Sequence, residues 1–170
     1  MEHTSVLTPA QRRQGAARAI LAGGFLAGVG DMTQALIVFG ARGVAPSRVL
    51  QSIAVGVAGS AAYDGGWRTA LSGLVLHFLI ATIWAAIYVL ASGAVRLLVE
   101  RPVLCGLLYG ILVFLIMYEV VLPLSQVARD PRASLFTAPL IITGWIGHPL
   151  VVGLSIAVAT RRFMGRPASA

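Results

Sequence analysis

The sequence predicts an all-α fold: a four-helix transmembrane bundle with an amphipathic interfacial helix between the first and second spans. Three observations predict it. Of 170 residues, 58% are apolar and only 11% charged, where a soluble domain carries roughly 25% charged residues, and the mean hydropathy is +0.86. The apolar residues gather into four stretches, each near the roughly 20 residues that a helix needs to cross hydrocarbon. None of them alternates polar and apolar residues as a barrel strand does, and a lipid-facing backbone must satisfy its own hydrogen bonds, which leaves helix. A soluble chain of this length has too much surface for its volume to bury so much apolar area in one core. The chain, 1–170, reads as a single integral membrane domain.

The first span covers about 19–40 and follows Arg12, Arg13 and Arg18. Basic residues before an apolar run suggest a signal peptide. Here the run is long, carries Asp31 in its interior and lacks a small-residue cleavage site, so it reads as a retained span. The Arg12-Arg13 pair lacks the flanks of a twin-arginine export signal. Pro46 and Ser47 then open a helix of about 47–62. Val49, Leu50, Ile53 and Val57 share one of its faces, while Arg48, Gln51, Ser52 and Ser60 fall elsewhere. It is too short and too polar to span, which places it in the interface or as a partly re-entrant segment. Tyr63-Asp-Gly-Gly-Trp67 ends it as a turn, with two aromatics suited to the headgroup layer. The second span covers about 71–92, the third about 103–124 and the fourth about 138–160.

All thirteen basic residues are arginines, and the net charge is +7. They lie in short segments between the spans and form no basic stripe with stacking aromatics, so nucleic-acid binding is not predicted. The N-tail, the 93–102 loop and the C-tail hold eight of them, and the 41–70 and 125–137 loops hold five. The positive-inside rule then puts both termini in the cytoplasm. The single Cys105 rules out an internal disulfide and sits in an apolar run as a packing residue.

Small residues are spaced for close helix approach: Gly24 and Gly28 in the first span, Gly106 and Gly110 in the third, and Gly144, Gly147 and Gly153 in the fourth. Such faces serve internal packing or, alternatively, a homodimer. The lipid bilayer is the one partner that the composition requires. No long internal repeat of the kind found in inverted-repeat transporters is evident.

Each span carries one titratable group: Asp31, His77, Glu119 and His148. A charge at the bilayer centre costs roughly 3 kcal/mol on insertion scales, so these groups are expected to face the bundle interior as an intramembrane polar centre. At 1.5 Å per residue, Glu119 and His77 lie about 8–9 Å below the outer surface, and Asp31 and His148 about 14–15 Å. That spacing suggests two layers, with Gln34 one turn from Asp31. Tyr118, Thr143 and Trp145 are further polar candidates.

Three explanations stand open. The groups fasten helices together through buried hydrogen bonds; they form a proton or small-ion path or sensor; or they bind a metal or, through His77 and His148, a haem. Pro149 is expected to break or kink the fourth helix beside His148, and Pro123 closes the third. No GxSxG, HExxH, Walker or Cys-x-x-Cys motif is present, so no enzyme and no cofactor is predicted. Asp130 and Arg132, flanking Pro131, read as solvated turn residues.

Several segments resemble those of a known group. They are Leu50-Gln-Ser-Ile-Ala, Ala62-Tyr-Asp-Gly-Gly-Trp67, Leu76-His-Phe-Leu-Ile-Ala81 with Trp84 and Tyr88, Arg101-Pro-Val-Leu-Cys-Gly-Leu-Leu-Tyr-Gly110 and Val121-Leu-Pro-Leu-Ser125. Over roughly residues 18–162 the chain resembles a family of small bacterial inner-membrane proteins with four spans and no assigned activity. More distantly it is similar to YagU-like inner-membrane proteins, which share a histidine in the second span, a Pro-Leu closing the third and a Gly-His in the fourth, here Gly147-His148. That likeness implies a membrane location and a link to acid tolerance. The long outer loops of that family are missing here, and the likeness carries over no functional residue.

Overall fold

The computed structural model describes residues 8–130 and 144–165. Helix α1 runs Pro9–Gly40, opened by a capping box in which the Thr8 hydroxyl accepts from the Gln11 amide and the Gln11 side chain accepts from the Thr8 amide. Its 32 residues reach about 48 Å, so its first turns, with Arg12 and Arg13, extend beyond a hydrocarbon core of roughly 30 Å. Helix α2 is Pro46–Ala58, followed by a 3₁₀ segment Gly59–Asp64. Helix α3 is Gly66–Ala94 and the short α4 is Leu97–Glu100. Helix α5 is Pro102–Leu124 with a π-helical stretch Met117–Val121, and a 3₁₀ turn Gln126–Arg129 follows it. Helix α6 covers 144–164, with a π-helical stretch His148–Gly153 leading into Leu154–Met164.

Among the described residues three helices are long and apolar enough to cross a membrane: α1, α3 and α5. The fourth predicted span starts at 138, and its first residues, 138–143, lie outside the described residues; the remainder is the helical α6. Large apolar side chains cover the outer faces. On α3, Leu71, Val75, Leu79, Ile83, Ile87 and Leu90 form one exposed stripe, and Leu104, Leu108 and Leu112 do the same on α5. Water-soluble monomers rarely expose contiguous apolar patches beyond a few hundred Å², so these faces belong against lipid.

The interior is built from small residues. Ala27, Ala85 and Ala157 are completely buried, around Tyr88 and Ile156. Gly24 packs on the Thr82 backbone, where an added Cβ would fall 2.8 Å from Thr82 Cα, and Gly28 lies under the Phe78 ring. Gly106 and Gly110 abut Gly153, His148 and Pro149 of α6, while Gly144 meets the Phe114 ring. The glycines of all three small-residue faces thus meet other helices of the same chain. With lipid outside, backbone approach replaces hydrophobic drive as the cause of association. Tyrosines finish the α3–α5 seam. Tyr109 donates its hydroxyl proton to the Trp84 carbonyl at 2.7 Å, Tyr88 donates to the Leu98 carbonyl at 2.9 Å, and the two rings meet at 4.8 Å.

Two local features bear on the site. Pro149 does not break α6. The proline has no N–H to offer the carbonyl of Trp145, and the backbone widens into the π-helical stretch, where Leu154 N–H reaches back to the Pro149 carbonyl. In α2 the buried side chains are Val49, Gln51, Ala54 and Val55, whereas Val57 is exposed. Gln51 is tolerated inside because its amide donates to the Gly66 carbonyl at 2.9 Å and contacts the Thr69 hydroxyl, which itself donates to the Ala62 carbonyl. Gly73 brings α3 against the Leu50 carbonyl, so α2 packs along α3 backbone to backbone. Arg48 donates to the Tyr63 carbonyl at 2.9 Å and lies over the Tyr63 ring, pinning the far end of the turn.

Candidate functional site

Helix α1 carries the centre of the site on one face. Gly28, Asp31 and Gln34 follow at intervals of three, and each meets a group from another helix. The Gly28 carbonyl receives a hydrogen bond from His77 Nε2 of α3 at 2.9 Å, which fixes the proton on that nitrogen. Asp31 Oδ1 lies 4.0 Å from His148 Nδ1 of α6. That is ion-pair range when the imidazole is protonated, and longer than a hydrogen bond. The Gln34 amide lies against the backbone of Gly147, the one residue before His148 that leaves room for it. The Phe114 ring approaches the His148 ring at 5.7 Å, and Phe78 meets the His77 ring edge-on at 5.6 Å.

Asp31, His77, Phe114 and His148 border a partly open cavity of about 560 Å³ lined from α1, α2, α3, α5 and α6. Asp31, His77 and His148 line it together with Trp84, Tyr118 and Phe114. Both π-helical stretches flank it: Met117, Tyr118 and Val121 come from one, His148 and Val152 from the other. A π-turn inserts one residue into the helical register and re-aims the side chains around it, which is why such turns recur at functional sites.

Of the five residues expected to form the polar centre, Asp31, Gln34, His77 and His148 are gathered around one stretch of α1, and Glu119 is not among them. The inward face of α5 at this level is Phe114, Met117, Tyr118 and Val121. Glu119, the next residue of the π-helical stretch after Tyr118, is exposed and does not line the cavity. The expected His77–Glu119 layer is therefore replaced by the bond from His77 to the Gly28 carbonyl. Of the other polar candidates, Tyr118 faces the cavity, Trp145 is exposed on the outer surface, and Thr143 lies outside the described residues. Among the described residues no three His, Cys, Asp or Glu side chains stand close enough to hold a metal ion.

Sequence reasoning missed Asp130. Read as a solvated turn residue, it is buried at 7% exposure and lines the cavity from the segment after α5, on the side of α2. Ser52, Tyr63 and Ser125 border the same space. The signal was Pro131: a proline fixes the backbone that follows an acid, yet nothing local tells whether that acid turns in or out. No family model, curated protein or solved structure matches this chain, so the chemistry of the site rests on its own geometry.

Proposed function

We propose that the chain is a non-enzymatic, four-span protein of the bacterial inner membrane, with both termini in the cytoplasm, whose Asp31–His148 pair exchanges protons so that the protein moves or senses protons or small ions. The observation that carries the reading is the 4.0 Å approach of a carboxylate on α1 to an imidazole on α6, at the edge of a partly open cavity between the helices. Carboxylate and imidazole are the side chains suited to proton relays within membranes.

Several contacts support a fourth crossing by α6. It runs antiparallel to α1, with Gly15 facing Phe163, Gly23 facing Ile156, Gly30 facing Val151 and Gln34 facing Gly147. A helix lying beside α1 over that length shares its depth in the bilayer. The orientation is supported by charge: Arg12, Arg13, Arg18, Arg96, Arg101, Arg161 and Arg162 cap the end with the termini, against Arg42, Arg48, Arg68 and Arg129 at the other. The resemblance to small inner-membrane proteins favours the same placement.

The test is reconstitution into vesicles enclosing a pH-sensitive dye. Wild type should dissipate an imposed pH gradient faster than Asp31→Asn or His148→Gln, and infrared difference spectra should show a carboxyl band that Asp31→Asn removes. Proton leak equal to that of empty vesicles, together with no such band, would end the reading. A second reading, in which the polar groups only fasten helices, is favoured for His77 by its bond to the Gly28 carbonyl. On that reading His77→Phe lowers stability by about 1 kcal/mol and leaves proton exchange unchanged.

A further inference from the structure

The cavity beside the Asp31–His148 pair is long as well as large. Residues from Ala27 to Phe39 line it on α1 and from Val113 to Pro123 on α5, about 18 Å and about 15 Å along the two helices at 1.5 Å per residue. Its volume of about 560 Å³ falls within the roughly 300–1,000 Å³ range of sites for small organic ligands. Most of the wall is aliphatic or aromatic, with Trp84, Phe114 and Tyr118 contributing rings.

One polar atom on this wall selects a chemistry. A neutral imidazole carries a single N–H, and that of His77 is on Nε2, bonded to the Gly28 carbonyl at 2.9 Å. Nδ1 is therefore a bare acceptor on a ring that lines the cavity, and no donor among the described residues reaches it. Only an O–H or an N–H matches it. A file of waters fits poorly, because each buried water needs two to four polar partners and these walls are mostly apolar. A cation fits poorly as well. The carboxylate at this level, Asp31, already faces His148 at 4.0 Å, and with one titratable proton between them the two carry no net charge. An uncharged molecule with a long apolar body and one hydroxyl suits the shape, the walls and the acceptor together.

We propose that this cavity binds an uncharged lipophilic alcohol or phenol drawn from the bilayer, whose hydroxyl donates to His77 Nδ1 while its apolar body lies along α1 and α5. Such binding needs no proton movement at Asp31–His148.

The experiment uses two uncharged probes of one shape, 4-octylphenol and its methyl ether, which differ in the O–H donor. Equilibrium dialysis against the full chain in nanodiscs, with empty nanodiscs as the blank, gives the saturable component. The phenol binds about fivefold or more tightly than the ether, as one hydrogen bond allows. His77→Phe brings the phenol down to the affinity of the ether and leaves the ether unchanged. A second measurement needs no variant: the His77 Nδ1 resonance in ¹⁵N spectra moves when the phenol is added and stays in place with the ether. No saturable binding, equal affinity for the two probes, a preference that survives His77→Phe, or an unmoved Nδ1 resonance each overturns the proposal. Because dialysis involves no gradient, failure here leaves the vesicle measurement of proton exchange to be judged separately.

Discussion

Gly110→Ala tests whether the bundle is held by backbone contact between α5 and α6. A Cβ at residue 110 would lie 2.5 Å from Pro149 Cα and still closer to the His148 carbonyl oxygen. Carbon atoms in contact rest at about 3.5–4.0 Å, so α5 and α6 must separate by roughly 1 Å, or α6 must shift locally. Neither obstacle is the end of a flexible side chain that can rotate away. Overpacking of this kind costs typically about 1–3 kcal/mol, and the better helix propensity of Ala returns roughly 0.5–1 kcal/mol. The expected net loss is about 1–2 kcal/mol. Gly93→Ala is the control, because a Cβ there meets nothing within 4 Å and only the propensity gain remains. Unfolding of both variants in mixed micelles gives the comparison. The displacement has a second consequence, since the backbone that is pushed is that of His148 itself: proton exchange at Asp31–His148 should fall together with stability. A Gly110→Ala protein as stable as Gly93→Ala would show that α5 and α6 are not in backbone contact, and the geometry around His148 would have to be abandoned.

Two more outcomes are expected. Gln51→Leu leaves the Gly66 carbonyl without its 2.9 Å donor and costs about 1–2 kcal/mol, read as faster hydrogen exchange in α2 than at the α5–α6 seam; wild-type exchange in α2 would show that this bond does not anchor it. In a Cys105→Ala background, single cysteines at Arg13→Cys and Arg161→Cys should both resist an impermeant maleimide added to intact spheroplasts, while Arg42→Cys labels. Labelling of only one of the first two would contradict an even number of crossings, and labelling of both would invert the orientation.

The apolar lengths of α1, α3 and α5 were legible because spanning a bilayer is a local requirement, met by hydropathy and by the helix's own hydrogen bonds. Glycine spacing was legible for a related reason: positions 24 and 28, and 106 and 110, share a helix face whatever lies opposite. Depth along the axis was legible for one pair and not for another: a fixed rise per residue puts Asp31 and His148 at one level, and they stand 4.0 Å apart, whereas His77, expected nearer the outer surface than Asp31, bonds to the Gly28 carbonyl one turn on its inner side. Rotation about the axis was not. A helix between lipid and an apolar core is apolar on both sides, so its sequence carries no stripe to mark the inner face. Glu119 and Asp31 look alike in sequence, and only packing of α5 on α6 through Gly106 and Gly110 turns Phe114 and Tyr118 inward and leaves Glu119 outside. The cavity and the burial of Asp130 belong to the same class. They are set by how five helices and a turn distant in sequence close around a shared space, which no local pattern encodes.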